Sequence, residues 1–291
     1  MSKRIIVLGA NGMAGHVITI GLRADENNYE VITVARNKSA VNPSVLLDVS
    51  DFSGLSTLIK RTKADVIINC IGLLNKTAED NPNKAVLINS YLPHFLESET
   101  KNTPTKVIHI STDCVFSGDE GSYKENSFKN GRGFYAQSKA LGELDNYKDL
   151  TFRTSIIGPE LNTNGIGLFH WFSNQEKEIN GYTQAYWTGV TTIELLKAIK
   201  YVLLNNITGL YHLVNENKIS KYSLVNIFND VFETGLNISP YDGYKVDKSL
   251  INTRNDFSHK VNTYENMINE MKTWIYDNIE NYAHYKKVVN F

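Results

Sequence analysis

The chain has 291 residues, 42% hydrophobic and 21% charged, enough to bury a core without staples and too long for one typical domain of about 150 residues. Its 30 basic and 31 acidic residues leave a net charge of −1, which gives no support for a nucleic-acid partner. No apolar run reaches the roughly 20 residues that span a bilayer, two cysteines are too few for a disulfide framework or structural zinc, and Met1-Ser2-Lys3-Arg4 runs into a strand with no cleavage site, so no membrane partner is expected and the cytoplasm is the default compartment.

Residues 4–9 (RIIVLG) predict a buried strand, followed by a glycine-rich turn and a helix from Met13 to about Asp25. Strands are expected at 29–35 and 44–48, a helix at 52–63 and a fourth strand at 65–71. A long helix at 83–100, a fifth strand at 106–111, a helix at 135–146 and a sixth strand at 150–157 follow. Apolar strands alternating with helices predict a parallel sheet covered on both faces. The stretch 158–187 reads as less regular and rich in aromatic residues. Residues 191–205 predict an amphipathic helix, 209–214 another strand, and three helical stretches close the chain, with 276–291 as a surface or interface helix. No repeat or linker separates two halves. The expected architecture is α/β: a Rossmann-type doubly wound parallel sheet with a smaller, interleaved α/β substrate-binding lobe. The nucleotide domain would take 1–157 and about 188–215, and the lobe about 158–187 and 216–291.

The first strand ends in Gly9-Ala10-Asn11-Gly12-Met13-Ala14-Gly15. Glycines three apart at a strand–helix junction let the backbone approach a pyrophosphate, which the helix N-terminus attracts. A tight structural turn is the alternative. An NAD site would place an acid after the second strand, but Arg36-Asn37-Lys38 stands there. Arg36 suits a 2′-phosphate, which favours NADPH over NADH, although ordinary solvated loop charges would look the same. Asp48 and Val49 stand where the adenine edge would lie, and Asp48 is equally placed to cap the next helix.

Tyr135 and Lys139, four residues apart, share a helix face. A nearby ammonium favours the phenolate of a tyrosine that is otherwise a poor acid–base group at neutral pH. Ser111, Thr112 and Asp113 close the fifth strand at the sheet edge where ligands bind, and a hydroxyl there would reach the same carbonyl. Two histidine-containing stretches read as packing: His109 in its strand, and His170-Trp171-Phe172 in a run of aromatics.

The segments GANGMAG, DVIINCIG, the helix bearing Asn89, STDCVFSG, YAQSK and FRTSIIGP, with TGVTTIELLKAI and GLYHLV further on, resemble the extended short-chain dehydrogenase/reductases. Among these they are most similar to the dTDP-4-dehydrorhamnose reductases, over about residues 3–215. The resemblance implies an NAD(P)H-dependent reductase of the 4-keto group of a nucleoside-diphosphate 4-keto-6-deoxy sugar. Tyr135 would donate the proton, Lys139 would hold the nicotinamide ribose and tune Tyr135, and Thr112 would bond the carbonyl oxygen. Gly9, Asn11, Gly12, Met13, Gly15, Arg36, Asp48, Val49, Cys70, Ile71, Gly72, Ser111 and Ile157 would line the cofactor with Tyr135 and Lys139. Asp113, Cys114, Val115, Phe116 and Trp187 would face the substrate, with packing as the alternative for Cys114 and Trp187. Asn89 would support the site, and Arg153 fits a structural salt bridge as well as a ligand role. Cys114 replaces the tyrosine usual in that family, which points to a different sugar. No metal ligand carries over, and a homodimer is left open. The rivals are a nucleotide-sugar epimerase or dehydratase and a non-catalytic NADP-binding regulatory subunit.

Overall fold

The computed structural model describes residues 2–289. In chain order it forms β1 (Lys3–Leu8), α1 (Met13–Arg23), β2 (Tyr29–Ala35), β3 (Val45–Leu46), α2 (Phe52–Thr62), β4 (Val66–Asn69), α3 (Asn75–Asp80) and α4 (Pro82–Ala85). A π-helical turn, Val86–Tyr91, leads into α5 (Leu92–Thr100), β5 (Lys106–Thr112), α6 (Gly133–Leu141), β6 (Leu150–Thr154), β7 (Ile156–Ile157) and α7 (Leu168–Ser173). Then come β8 (Glu178–Trp187), β9 (Val190–Thr191), α8 (Thr192–Leu204), β10 (Gly209–His212), β11 (Ile219–Ser220), α9 (Lys221–Phe232), β12 (Asn237–Asp247) and α10 (Tyr264–Asp277).

Two compact units emerge. The first takes the chain up to Ser117, Phe128–Arg153 and Asn206–Tyr211. It carries a seven-stranded sheet in the order β10-β6-β5-β4-β1-β2-β3, in which β3, β2, β1, β4 and β5 are parallel. Ile6, Leu8, Val34, Ile67 and Val107 from these strands pack against Leu55, Leu58 and Ile59 of α2 and Leu92 and Leu96 of α5. The strand order reverses beside β1, so the crevice at its carboxyl end is the expected ligand site.

The second unit takes Gly118–Ser127, Thr154–Asn205 and the chain from His212 onward. It holds a three-stranded sheet, β11-β8-β12, and the β7-β9 pair. This division departs from the expected one: 154–157, 188–205 and 212–215 belong with the second unit. The local reason is that β9 pairs with β7, Ile156 opposite Val190, while Lys197 of α8 meets Glu270 of α10 at 2.5 Å.

Two strands replace structure read otherwise. The stretch read as less regular contains β8, and among the closing helical stretches lies an unexpected strand, β12, paired parallel to β8 from Asn237 to Asp247. The tail is no surface helix either. After α10 it forms short 3-10 turns, and Tyr282 and Tyr285 are fully buried; residues 290 and 291 of that expected helix lie outside the described residues. His170 packs inside as expected, bonded to the Tyr285 hydroxyl at 2.8 Å, whereas its neighbour Trp171 is exposed.

Candidate active site

The phosphate-type turn is built by close approach. Gly9 takes φ +81, a region open to glycine, and its N–H donates to the Val34 carbonyl at 3.0 Å. Gly15 must be glycine for space, because a Cβ there would lie 2.1 Å from the Gly9 carbonyl oxygen. Contact of this kind seats α1 against the turn. Gly12 is its N-cap and makes no side-chain capping bond, so the first N–H groups of an eleven-residue helix are offered to an anion. Asn11 fastens the turn to the loop after β2: its Nδ2 donates to the Asn37 carbonyl at 2.8 Å, and its Oδ1 accepts from the Ser39 hydroxyl at 2.6 Å. Met13 opens α1.

Arg36 and Lys38 are exposed on that loop. Asp48 is not the cap of α2. Its carboxylate accepts from the Ser50 N–H and hydroxyl, which hold its pKa below the usual value, while Asp51 caps the helix by accepting from Gly54 N–H at 2.9 Å. Asp51 succeeds as the cap because it stands one residue before Phe52, the first helical position. Val49 is buried beside it. Cys70, Ile71 and Gly72 follow β4 and are half-buried. A Cβ on Gly72 would sit 3.6 Å from Asn89 Oδ1 and 3.9 Å from Lys139 Nζ, so this segment runs beside the lysine. Burial pushes the Cys70 thiol up to about 12, against the pull of Lys139, so it is a neutral thiol at pH 7.

Tyr135 and Lys139 lie on α6, whose first N–H groups are held from outside: Glu79 accepts from Phe134 N–H and Tyr135 N–H, both at 3.0 Å. Tyr135 is hydrogen-bonded to Thr112, and burial with the nearby Cys114 and Asp113 raises its pKa above the ordinary phenol value. Thr112 Oγ1 accepts from Cys114 N–H at 3.1 Å and donates to Asp113 Oδ1 at 3.2 Å. Lys139 is buried and donates to the Ile110 carbonyl at 2.7 Å. Burial lowers its pKa to about 8, against the opposing pull of Glu143 and Cys70. Asn89, fully buried in the π-helical turn, brackets Leu73 with bonds to its N–H at 2.7 Å and its carbonyl at 2.9 Å, and donates to Ser138 Oγ of α6 at 3.0 Å.

Arg153 proves to be a structural salt bridge. It grips Glu143 at 2.7 and 2.8 Å, and Ser111 donates to the same carboxylate at 2.8 Å. Burial would raise the Glu143 pKa, but Arg153, Lys129 and Ser111 outweigh it and hold it low. The Ser111 hydroxyl, expected at the cofactor, thus serves this interior network. Val115 and Phe116, expected at the substrate, are buried, Phe116 lying 5.0 Å under the Arg153 guanidinium. Asp113 is buried beside Thr112 and Cys114 is half-buried. Ile157 and Trp187 belong to the second unit. Ile157 pairs with Thr191, and Trp187 is buried against Tyr264, ring centroids 5.7 Å apart, with Lys221 Nζ 4.7 Å from its ring.

His109, read from the sequence as packing alone, also has polar partners beside Lys139. It is fully buried, as expected of core, yet its Nε2 lies 3.3 Å from Lys139 Nζ and its Nδ1 3.1 Å from Asn69 Nδ2. A histidine one residue before the carbonyl that Lys139 bonds was the available signal.

A sequence profile described as the RmlD substrate binding domain matches residues 3–274. Methionine adenosyltransferase 2 subunit beta of Xenopus tropicalis is 23% identical over 244 residues, covering 79% of this chain and 72% of the relative. A dTDP-4-dehydrorhamnose reductase of Mycobacterium tuberculosis is 28% identical over 148 residues, 49% of this chain and 45% of the relative. In fold, the chain is similar to the dTDP-4-dehydrorhamnose reductase of Bacillus anthracis solved in complex with NADP. The TM-score is 0.80 at 21% identity, over 94% of this chain and all of that one (100%).

Proposed function

We infer the activity from one premise: the chain belongs to the RmlD substrate binding domain family. It is an NAD(P)H-dependent oxidoreductase that reduces the 4-keto group of a nucleoside-diphosphate 4-keto-6-deoxy sugar, in deoxysugar or surface polysaccharide biosynthesis. The observation that supports this best is the joining of Tyr135 to Thr112 on one side and the seating of Lys139 one turn further along α6.

The turn from Gly9 to Gly15 fits a dinucleotide pyrophosphate, because the uncapped α1 N-terminus offers N–H donors where a side chain at Gly15 would close the approach. Asn11 sets the loop bearing Arg36, which would meet a 2′-phosphate and favours NADPH over NADH. When bound, the cofactor supplies the hydride. The chain's own part is the proton. With its pKa raised, Tyr135 is a protonated phenol at neutral pH and donates to the carbonyl oxygen as that oxygen gains charge. Thr112 has one hydroxyl hydrogen, which turns from Asp113 toward the phenolate left behind or toward the substrate oxygen. Cys114 and Asp113 follow directly and would touch the sugar.

A second reading, a non-catalytic NADP-binding partner, has one observation behind it: the similarity across 79% of the chain to a protein named as the beta subunit of a methionine adenosyltransferase. One assay separates the two. NADPH and NADH consumption is followed by absorbance with dTDP- and UDP-4-keto-6-deoxyglucose, each with and without a 3,5-epimerase. Oxidation with one substrate, lost ~10²–10⁴-fold in Tyr135→Phe with cofactor binding intact, is the expected result. Cofactor binding without turnover of any keto sugar overturns the reductase and leaves the binding partner.

A further inference from the structure

We propose that Asn69 and His109 are positioning residues that disfavour the ammonium form of Lys139, by presenting an N–H rather than a lone pair to its Nζ. The inference rests on the reading of Lys139 as the residue that tunes Tyr135.

The argument is an accounting of hydrogens that begins at a group with no choice. The backbone N–H of Ile71 can only donate, and it donates to Asn69 Oδ1 at 3.1 Å. That fixes the amide, since turning it over would set Nδ2 against another donor. The Asn69 Nδ2 therefore faces His109 Nδ1 at 3.1 Å, and Nδ1 must be the lone pair. A neutral imidazole then carries its proton on Nε2, which lies 3.3 Å from Lys139 Nζ. An ammonium has donors only, whereas an amine has the lone pair that this N–H needs. Lys139 in turn donates to the Ile110 carbonyl at 2.7 Å. Every donor thus points one way along a buried chain: Ile71, Asn69, His109, Lys139, Ile110.

Protonating Lys139 in this arrangement demands that the imidazole move its proton to Nδ1, where it would oppose the Asn69 amide. In a buried site that lost bond is costly. The ring cannot escape by becoming a cation, for burial first, then Lys139 and His94, keep the His109 pKa well below its ordinary value. The other titratable groups facing Lys139 are Glu143 and Cys70, which favour its charge, and Tyr135 on its own helix face. Glu143 is committed to Arg153, Lys129 and Ser111. Lowering the ammonium fraction of Lys139 removes part of the charge that would favour the Tyr135 phenolate, so the relay biases the site toward a phenol that gives a proton to a carbonyl.

The test needs no substrate. Ring ¹⁵N shifts of His109 report the tautomer directly, and the side-chain ¹³Cε shift of Lys139 reports its midpoint. The wild-type protein at pH 9 is expected to carry the proton on Nε2. Asn69→Asp keeps an acceptor for Ile71 N–H but offers a second acceptor to Nδ1. It should switch the ring to Nδ1–H and raise the Lys139 midpoint by about one pH unit or more. The double variant Asn69→Asp/His109→Phe carries the same added charge without the relay, and its midpoint should rise less. An Nδ1–H tautomer in the wild-type protein overturns the proposal even if no variant folds. So does an equal rise with and without His109. Neither result bears on whether the protein reduces a keto sugar, which the absorbance assay decides separately.

Discussion

His16 shows how the nucleotide turn ties its own integrity to pH. It stands in the first turn of α1, fully buried, with Nδ1–H donating at 2.8 Å to the Gly12 carbonyl that also accepts the His16 backbone N–H at 3.0 Å. Burial lowers its pKa from 6.5 to about 4, and the bond to Gly12 only partly opposes this. The unfolded chain therefore binds a proton between pH 6.5 and 4 that the folded chain refuses. The stability His16 carries as a neutral ring is fully present above pH 6.5 and falls as the pH drops toward 4, by about 3 kcal/mol in all. Urea unfolding at pH 7 and pH 4.5 checks this: His16→Leu should lose less stability than the wild type over that interval. His109 titrates in the same direction in both proteins, so their difference isolates His16. Equal losses would place the acid sensitivity elsewhere.

Helix α6, which carries Tyr135 and Lys139, is held by a contact between elements rather than by its own sequence. Pro93, in the first turn of α5, has no N–H to give the carbonyl four residues back, that of Asn89, and its ring would crowd that carbonyl in an α-helix. The chain forms the π-helical turn Val86–Tyr91 there. The Asn89 carbonyl meets the end of α6 at Gly142, where a Cβ would lie 1.9 Å from its oxygen. Gly142 has an ordinary φ of −89, so space and not backbone strain demands glycine. Gly142→Ala is expected to cost about 1–3 kcal/mol. It should also lower kcat further than that loss explains, because Asn89 holds Ser138 and Leu73 beside Lys139; unfolding and steady-state assays on the same preparation measure both. Such contacts also mark what was legible in the sequence. Strands β1, β2, β4 and β5 are short apolar runs that no other element accommodates, and the Tyr135–Lys139 spacing needs only a helix. Strand β12 and the polar role of His109 did not show. Most of β12 is exposed, and it contains Pro240 and Gly243, so neither alternation nor propensity announces a strand. Its hydrogen bonds come from β8, about sixty residues away in sequence, and Pro240 is tolerated because β12 is an edge. His109 escaped for a related reason: periodicity places it in a buried strand, but its partners Asn69 and Lys139 lie 40 and 30 residues away.

Neither unit is a continuous piece of chain, and this has consequences for folding. The first unit receives its last strand from Asn206–Tyr211, after Thr154–Asn205 has gone to the second. That late segment is well anchored. Gly209 N–H donates to the Asp149 carbonyl at 2.7 Å, Lys106 Nζ donates to the Ile207 carbonyl, and Tyr211 stacks edge-on against Phe152 with centroids 6.0 Å apart. β10 therefore covers what would otherwise be the bare edge of β6, and unpaired edges of buried, apolar strands invite pairing with other chains. Phe152, fully buried, would lose a neighbour at the same time. A chain ended at residue 157 contains the glycine turn, Arg36, Thr112, Tyr135 and Lys139 but lacks the later segment, about 188–215, that the sequence also assigns to the nucleotide domain. It is expected to associate and to melt without cooperativity. Rejoining 206–214 to it through a flexible linker should restore a monomer that binds NADPH, as size-exclusion chromatography and thermal melting with and without cofactor would record. A monomeric, cooperatively melting 1–157 fragment would show that β10 adds nothing the first six strands lack. The interleaving would then be a matter of connectivity and not of stability.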